Sequence, residues 1–292
     1  MNQEVKNYSL QSGLRIPKKD VRDFSYKKKF GAAPLHDKDF TVSPVLEVKD
    51  QRETDFCVNF AVASIREDTE KVVLAPEYGA AKTKQIEGNY LSFGADPKDA
   101  LKAAINYGSL EVGVCPFKVG DKDRDFLVNW TNYPTHLDEV ARVHRGKSFF
   151  KVDGWGDFFD SCRGVMQMQV ASILTGMYWQ TEWDFAPSGV IADKAKLDEI
   201  NPHAVKICGQ KNINGTLYLV IQNSYGEGVG DKGFFYFPRS VVNQFFFGYA
   251  ILDLDAQEVK KETWTLLQKI ADFLIKLSER LTANSRQSNS NT

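Results

Sequence analysis

Four side chains scattered along the sequence have the types needed for attack of a thiol on a carbonyl: Gln51, Cys57, His203 and Asn223. A thiol is a good nucleophile only as the thiolate, and a helix N-terminus together with a neighbouring imidazolium stabilises that anion. Cys57 opens an apolar stretch, His203 precedes the strand-like run Ala204-Val-Lys-Ile-Cys208, and Asn223 follows the strand-like run from Leu217 to Gln222. An amide oxygen that accepts from the ring N–H holds a histidine in one orientation without adding charge. Gln51, six residues before Cys57, has an amide that can join the Cys57 backbone N–H in stabilising an oxyanion. Taken singly, each residue has an ordinary reading as a buried thiol, a strand-edge histidine or a turn asparagine. Their coincidence is what points to chemistry.

The elements that must position these groups are legible from periodicity. From Cys57 to Leu74 the apolar residues Val58, Ala61, Val62 and Ile65 fall on one helix face, which predicts a buried helix starting at or near Cys57. A second helix is expected over 97–107, with Pro97 suited to its first turn and Gly108 to its C-terminal cap. The second half changes character. Segments 216–221, 233–237 and 249–252 are aromatic and β-branched between glycine-rich turns, and read as antiparallel strands. Residues 119–150 read as a charged connecting excursion with no assigned chemistry. The other cysteines, Cys115, Cys162 and Cys208, are expected to be structural, and His36, His136 and His144 to face solvent or pack locally.

The segment Gln51-Arg-Glu-Thr-Asp-Phe-Cys57-Val-Asn-Phe-Ala61 resembles the oxyanion-glutamine and nucleophile segment of papain-like cysteine peptidases. His203-Ala-Val and Asn223-Ser-Tyr-Gly-Glu-Gly-Val-Gly-Asp-Lys-Gly-Phe234 resemble that family's histidine and asparagine segments, in the same chain order. The stretch from Gly94-Ala95-Asp-Pro97 through Cys115-Pro-Phe117 resembles its substrate-binding strand, second helix and following turn. The resemblance implies an α+β, papain-like two-lobed fold: a helical lobe with Cys57, an antiparallel β-barrel-like lobe with His203 and Asn223, and the active site in the cleft between them. It implies a thiol-dependent endopeptidase with catalytic residues Cys57, His203, Asn223 and Gln51. Peptide contacts are expected at Gly94, Ala95, Pro97, Ala204 and Tyr225, with no metal and no cofactor. There are departures. The aromatic that usually follows the nucleophile is Val58, and Tyr225 and Val229 replace two tryptophans. Thr54 and Ser92 stand where the family commonly has a disulfide, which makes an oxidising compartment less necessary. The alternatives are a cysteine amidase or transferase on the same fold, and a catalytically silent peptide-binding homologue.

Composition narrows the rest. With 37 basic and 38 acidic residues the net charge is −1, which gives no support to a nucleic-acid partner. A hydrophobic fraction of 42% supports a buried core. The apolar run 245–252 is far short of the ~20 residues a membrane span needs. The start, MNQEVKNYSLQSGL, has no apolar stretch of the kind a secretory signal carries, which favours a cytoplasmic location. Expected organisation is an extended polar arm over 1–40, a peptidase domain over 41–255, an amphipathic helix over 256–283 and a disordered tail over 284–292. The arm crosses a surface or lies in the cleft as an inhibitory or stabilising segment. The helix, with leucine and isoleucine at alternating spacings, packs on its own domain, mediates self-association or lies on a membrane surface.

Overall fold

In the computed structural model, the described residues are 13–18, 23, 25, 34–169 and 171–253. The helix expected over 256–283, the tail after it and much of the 1–40 arm lie outside them. Three helices make one side of the molecule. Helix α1 (Cys57–Glu70) ends where Lys71 adopts a left-handed conformation with φ of 59°. Helix α2 (Pro76–Glu87) starts with proline at its first position and stops at Gly88. Helix α3 (Pro97–Asn106) is capped by the Asp96 carboxylate, which accepts from the Lys98 N–H at 2.8 Å. Val58, Ala61, Val62 and Ile65 of α1 pack with Ala100, Leu101 and Ala104 of α3 in one buried cluster, the apolar face the sequence predicts.

The excursion over 119–150 is more than a connection. It contains α4 (Arg124–Val128) and α5 (Leu137–Ala141). Leu127 and Val128 close a cluster with Phe56 and Phe60, beside the start of α1.

The strands form an open antiparallel sheet rather than a closed barrel. Its order is β4 (Ser148–Lys151), β9 (Phe247–Leu252), β5 (Ile173–Tyr178), β6 (Pro202–Ile213), β7 (Thr216–Gln222) and β8 (Phe234–Pro238), and β1 (Phe40–Thr41) adds to β6, while β2 (Leu74–Ala75) and β3 (Leu110–Glu111) form a separate antiparallel pair. The β6–β7 hairpin turns at Asn214-Gly215, both at positive φ, as a two-residue hairpin requires. The β6–β7 register shifts between Ile207 and Gly209, and on the other edge of β6 the partner changes from β5 up to Ile207 to β1 at Gly209 and Gln210. A side chain at Gly209 would meet the Phe40 carbonyl oxygen at 2.3 Å, so only glycine fits there. Helix α6 (Phe158–Gln169) contributes Phe159, Cys162, Val165 and Met166 to the largest core cluster, with Ile207, Leu219, Ile221 and Phe235 of the sheet. Burying each such side chain contributes about 1.5–3 kcal/mol.

The two sides are joined by a charge. Lys206 of β6 is 2% exposed, and its ammonium donates to the Ser64 carbonyl at 2.8 Å and to Asp68 Oδ1 at 2.7 Å, both on α1. Asp68 Oδ2 is already without a partner. Lys206→Met is therefore expected to cost about 3–5 kcal/mol, because it leaves a buried carboxylate uncompensated. Urea unfolding measures this, and a loss below about 1 kcal/mol would refute the assignment.

Candidate active site

Cys57 stands first in α1, completely buried, at the end of a loop that its own neighbours fix. The Gln51 N–H donates to the Ser224 carbonyl at 2.8 Å, and Gln51 Nε2 donates to the Thr54 carbonyl at 2.8 Å. Gln51 Oε1 accepts from the Ser224 hydroxyl at 2.7 Å. These bonds tie the loop before Cys57 to the segment carrying Asn223 and fix which way the Gln51 amide points.

His203 lies in the first part of β6, paired with Met177 of β5, and is also fully buried. Its Nε2 is 2.8 Å from Asn223 Oδ1, which also accepts the Ser224 N–H at 2.8 Å. With two donors facing it, the amide oxygen must point this way, and Nε2 carries the proton. The lone pair is then on Nδ1, 3.3 Å from the Tyr225 hydroxyl. The Tyr225 ring stacks on His203 at 4.7 Å, and Trp179 meets the ring edge-on at 5.4 Å. Burial pushes the imidazole from 6.5 down to about 4, outweighing the Asn223 bond, which pulls it up.

The cleft is occupied by the chain itself. Gly13 and Leu14 are buried, and Leu14 pairs in parallel with Ala95. Ala95 N–H donates to the Gly13 carbonyl at 2.7 Å, and Arg15 N–H donates to the Ala95 carbonyl at 3.0 Å. The Gly13 N–H points at Cys57 Sγ, 3.4 Å away. A β-carbon at position 13 would lie 1.8 Å from the Asp55 carbonyl oxygen, so only glycine fits. Leu14 shares a buried cluster with Ala95, Leu174, Ala204 and Phe247, over Gly176, where a side chain would meet Leu14 Cδ2 at 2.4 Å. The arm thus enters the cleft, and of the two expectations for it the surface path does not hold for residues 13 and 14.

Under this cover the sulfur is a thiol. Burial pushes it from 9.0 up to about 11, against the backbone N–H groups of Ala204, Gly13 and Val58, which pull it down, and with the Asp55 charge adding to the rise. That rise is worth roughly 3 kcal/mol, more than the 0.3–2 kcal/mol a helix N-terminus supplies. Burial wins. Among the described residues no hydrogen bond joins Cys57 to His203.

The structure brings Gln51, Cys57, His203, Asn223, Gly94, Ala95, Ala204 and Tyr225 to one place. Pro97 opens α3 and serves as its first residue. Three features of the site have no motif in the sequence: Trp179 against His203, the Gly13-Leu14 arm over Cys57, and an ion pair between Asp55 and Arg124. The small residue Gly176 inside an apolar run and the Asp55-Phe56-Cys57 step are the signals the sequence offers for them. Where the resemblance has a disulfide between positions 54 and 92, Arg124 spans the same two stretches without one, reaching Asp55 and the Ser92 carbonyl. All four cysteines are free and buried, and among the described residues no helix is long and apolar enough to cross a membrane.

A model of the papain family of cysteine proteases matches residues 37–248. Among curated proteins nothing matches the chain. Among solved structures, xylellain, a cysteine protease from Xylella fastidiosa, is similar over 84% of this chain and 96% of its own, with 18% identity and a TM-score of 0.68. A procathepsin B from Trypanosoma congolense is similar over 84% of this chain and 87% of its own, at 17% identity and a TM-score of 0.66. A digestive procathepsin L 3 from Tenebrio molitor covers 84% and 77% at 16% identity, with a TM-score of 0.60. At these identities the neighbours speak for the fold.

Proposed function

The chain belongs to the papain family of cysteine proteases, and from that premise we propose that it is a cysteine endopeptidase whose catalytic residues are Cys57, His203, Asn223 and Gln51. The observation that carries this reading is the extended backbone of Gly13–Arg15, hydrogen-bonded through both polar groups of Ala95 with one end at the Cys57 sulfur. A groove that holds one extended chain over a thiol has the form a peptide substrate needs.

In the proposed reaction Cys57 Sγ attacks the carbonyl carbon and its proton passes to His203 Nδ1. The tetrahedral oxyanion is stabilised by the Cys57 backbone N–H and the Gln51 amide. The imidazolium then protonates the leaving amine, giving a thioester. Water, deprotonated by the same ring, attacks the thioester carbon, and the thiol leaves as the acid is released. Asn223 keeps Nε2 occupied so that Nδ1 faces the reaction.

The arm is held as a block. Gly13 presents an N–H to the sulfur and its carbonyl oxygen to Ala95, so the Gly13 carbonyl is committed elsewhere. This reading makes release of residues 13–15 a condition of activity.

One observation favours a second reading, a silent peptide-binding homologue: the sulfur and the imidazole share no hydrogen bond. Labelling with an epoxysuccinyl inhibitor, followed by cleavage of a peptide library in reducing buffer, separates the two. The endopeptidase reading expects label on Cys57, cleavage at internal bonds, and loss of both in Cys57→Ala. Label-free, inactive protein whose Gly13 has been replaced by valine would establish the silent reading instead. An amidase or transferase would reveal itself by products carrying an acceptor other than water.

A further inference from the structure

Asp55 lies two residues before Cys57 and is buried, with 4% exposure. An aspartate there must be paired, because an isolated buried carboxylate costs several kcal/mol. Its partner comes from the 119–150 excursion. Arg124, the first residue of α4, places Nε 3.0 Å from Asp55 Oδ1 and Nη2 3.0 Å from Oδ2, the two-pronged geometry at which arginine excels. The same guanidinium reaches the other wall of the cleft: Nη1 donates to the Tyr90 carbonyl at 2.9 Å and Nη2 to the Ser92 carbonyl. Asp55 completes the circuit by accepting the Gly94 N–H.

One ion pair therefore joins the loop that delivers Cys57 to the segment that delivers Ala95. The consequence for a bound peptide is specific. Gly94 has its N–H committed to Asp55 and its carbonyl to the Lys84 ammonium. Ala95 alone in this pair keeps both backbone groups for an extended chain, the two that Gly13 and Arg15 now use. The clamp sets the register in which a peptide pairs and the distance of that register from the sulfur. We infer that Asp55 and Arg124 are positioning residues of the proposed peptidase, holding the peptide-pairing strand and the nucleophile loop at a fixed separation.

The inference rests on the endopeptidase reading and goes beyond it. Charge supplies an independent handle. Asp55 faces Arg124 and, more distantly, Lys84, whose own neighbours are Glu87 and Arg15, while Asp125 pairs with the far side of Arg124. Asp55 also acts on the Cys57 sulfur, disfavouring the thiolate. With the arginine gone, its charge acts on the sulfur unopposed, and the acid limb of kcat/KM must move to higher pH.

The test uses the full chain carrying Gly13→Val as parent, with Arg124→Met, Arg124→Lys, Asp55→Asn and the Asp55→Asn/Arg124→Met double variant. For a fluorogenic peptide, Arg124→Met is expected to raise KM about tenfold, to lower kcat less, and to shift the acid limb upward. Arg124→Lys recovers part of the KM because it restores charge without the fork. The double variant loses about as much KM as either single one and returns the limb to its parental position, since the pair acts as a unit. A purely structural role would lower melting temperature while leaving KM and the limb of the folded protein unchanged. That result, or strict additivity in the double variant, overturns the clamp with the peptidase reading intact. A parent that neither cleaves peptide nor labels at Cys57 overturns the reading itself, and the positioning role with it.

Discussion

Removing residues 1–18, or replacing Gly13 with valine, is expected to raise the rate of Cys57 alkylation by iodoacetamide at pH 7 by roughly 10²–10³-fold. The argument is one of ionisation. With the thiol held at about 11, the thiolate fraction at pH 7 is about 10⁻⁴; at an ordinary value near 8.5 it is about 3%. Relief of steric cover adds to this, since the residue is wholly buried beneath the arm. The pH dependence carries a second signature. In the intact chain the rate should climb about tenfold per pH unit from 7 to 10, because the thiol stays protonated until near 11. In the freed protein the curve should flatten at lower pH. Gly13→Val achieves the release without truncation, because its β-carbon would fall on the Asp55 carbonyl oxygen. Equal rates in the intact and altered chains would refute the block.

The parts of the site that the sequence carries are those where one local requirement fixes residue type. The Asn223–Phe234 stretch is dense in glycine because its turns need positive φ at Gly226, Gly230 and Gly233, and such a pattern survives without its surroundings. Cys57 is legible because the apolar periodicity of α1 begins with it. The open sheet is less legible. Strand β5, ILTGMY, has no clean alternation since both of its faces are covered, one by the core and the other in part by Leu14. Helix α6 is hard to read because its start signal is a single carboxylate, Asp157, which accepts from the Asp160 N–H. Arg124 and Asp55 are 69 residues apart, and an ion pair has no period. The arm is the sharpest case. Its polar composition reads as a surface strand, and only the Gly13-Leu14 step, small where the loop is tight and apolar where the pocket is, belongs to the interior. Composition averages over the very residues that matter.

Once the arm is released, His203→Ala should lower kcat/KM by about 10²–10⁴, the usual worth of a positioned acid–base group. The ring has two nitrogens with separate fates. Nε2 is bound to Asn223 Oδ1 at 2.8 Å, and that oxygen is also taken by the Ser224 N–H, so it cannot turn away without orphaning a buried amide. Asn223 Nδ2 has no partner, which means that the whole side chain is held by its oxygen. In the proposed mechanism this leaves Nδ1 as the nitrogen that takes the proton. The Tyr225 hydroxyl reaches that nitrogen at 3.3 Å, beyond the roughly 2.7–3.2 Å of well-formed N/O hydrogen bonds, so it competes weakly with an incoming proton. Tyr225→Phe keeps the stacked ring and should change kcat/KM by no more than about threefold. Asn223→Ala frees the ring to rotate and should cost about 10–10²-fold, less than loss of the ring because a fraction of its orientations remains productive. Peptide cleavage by the Gly13→Val chain and its three derivatives gives this ranking, with Cys57 alkylation at pH 10 as the control that the thiol remains in place. If His203→Ala cleaves within threefold of its parent, a group other than an imidazole is the base, because among the described residues no second imidazole shares the site: His36 meets Phe40 edge-on, His136 stands at the start of α5, and His144 binds Glu70 at the far end of α1.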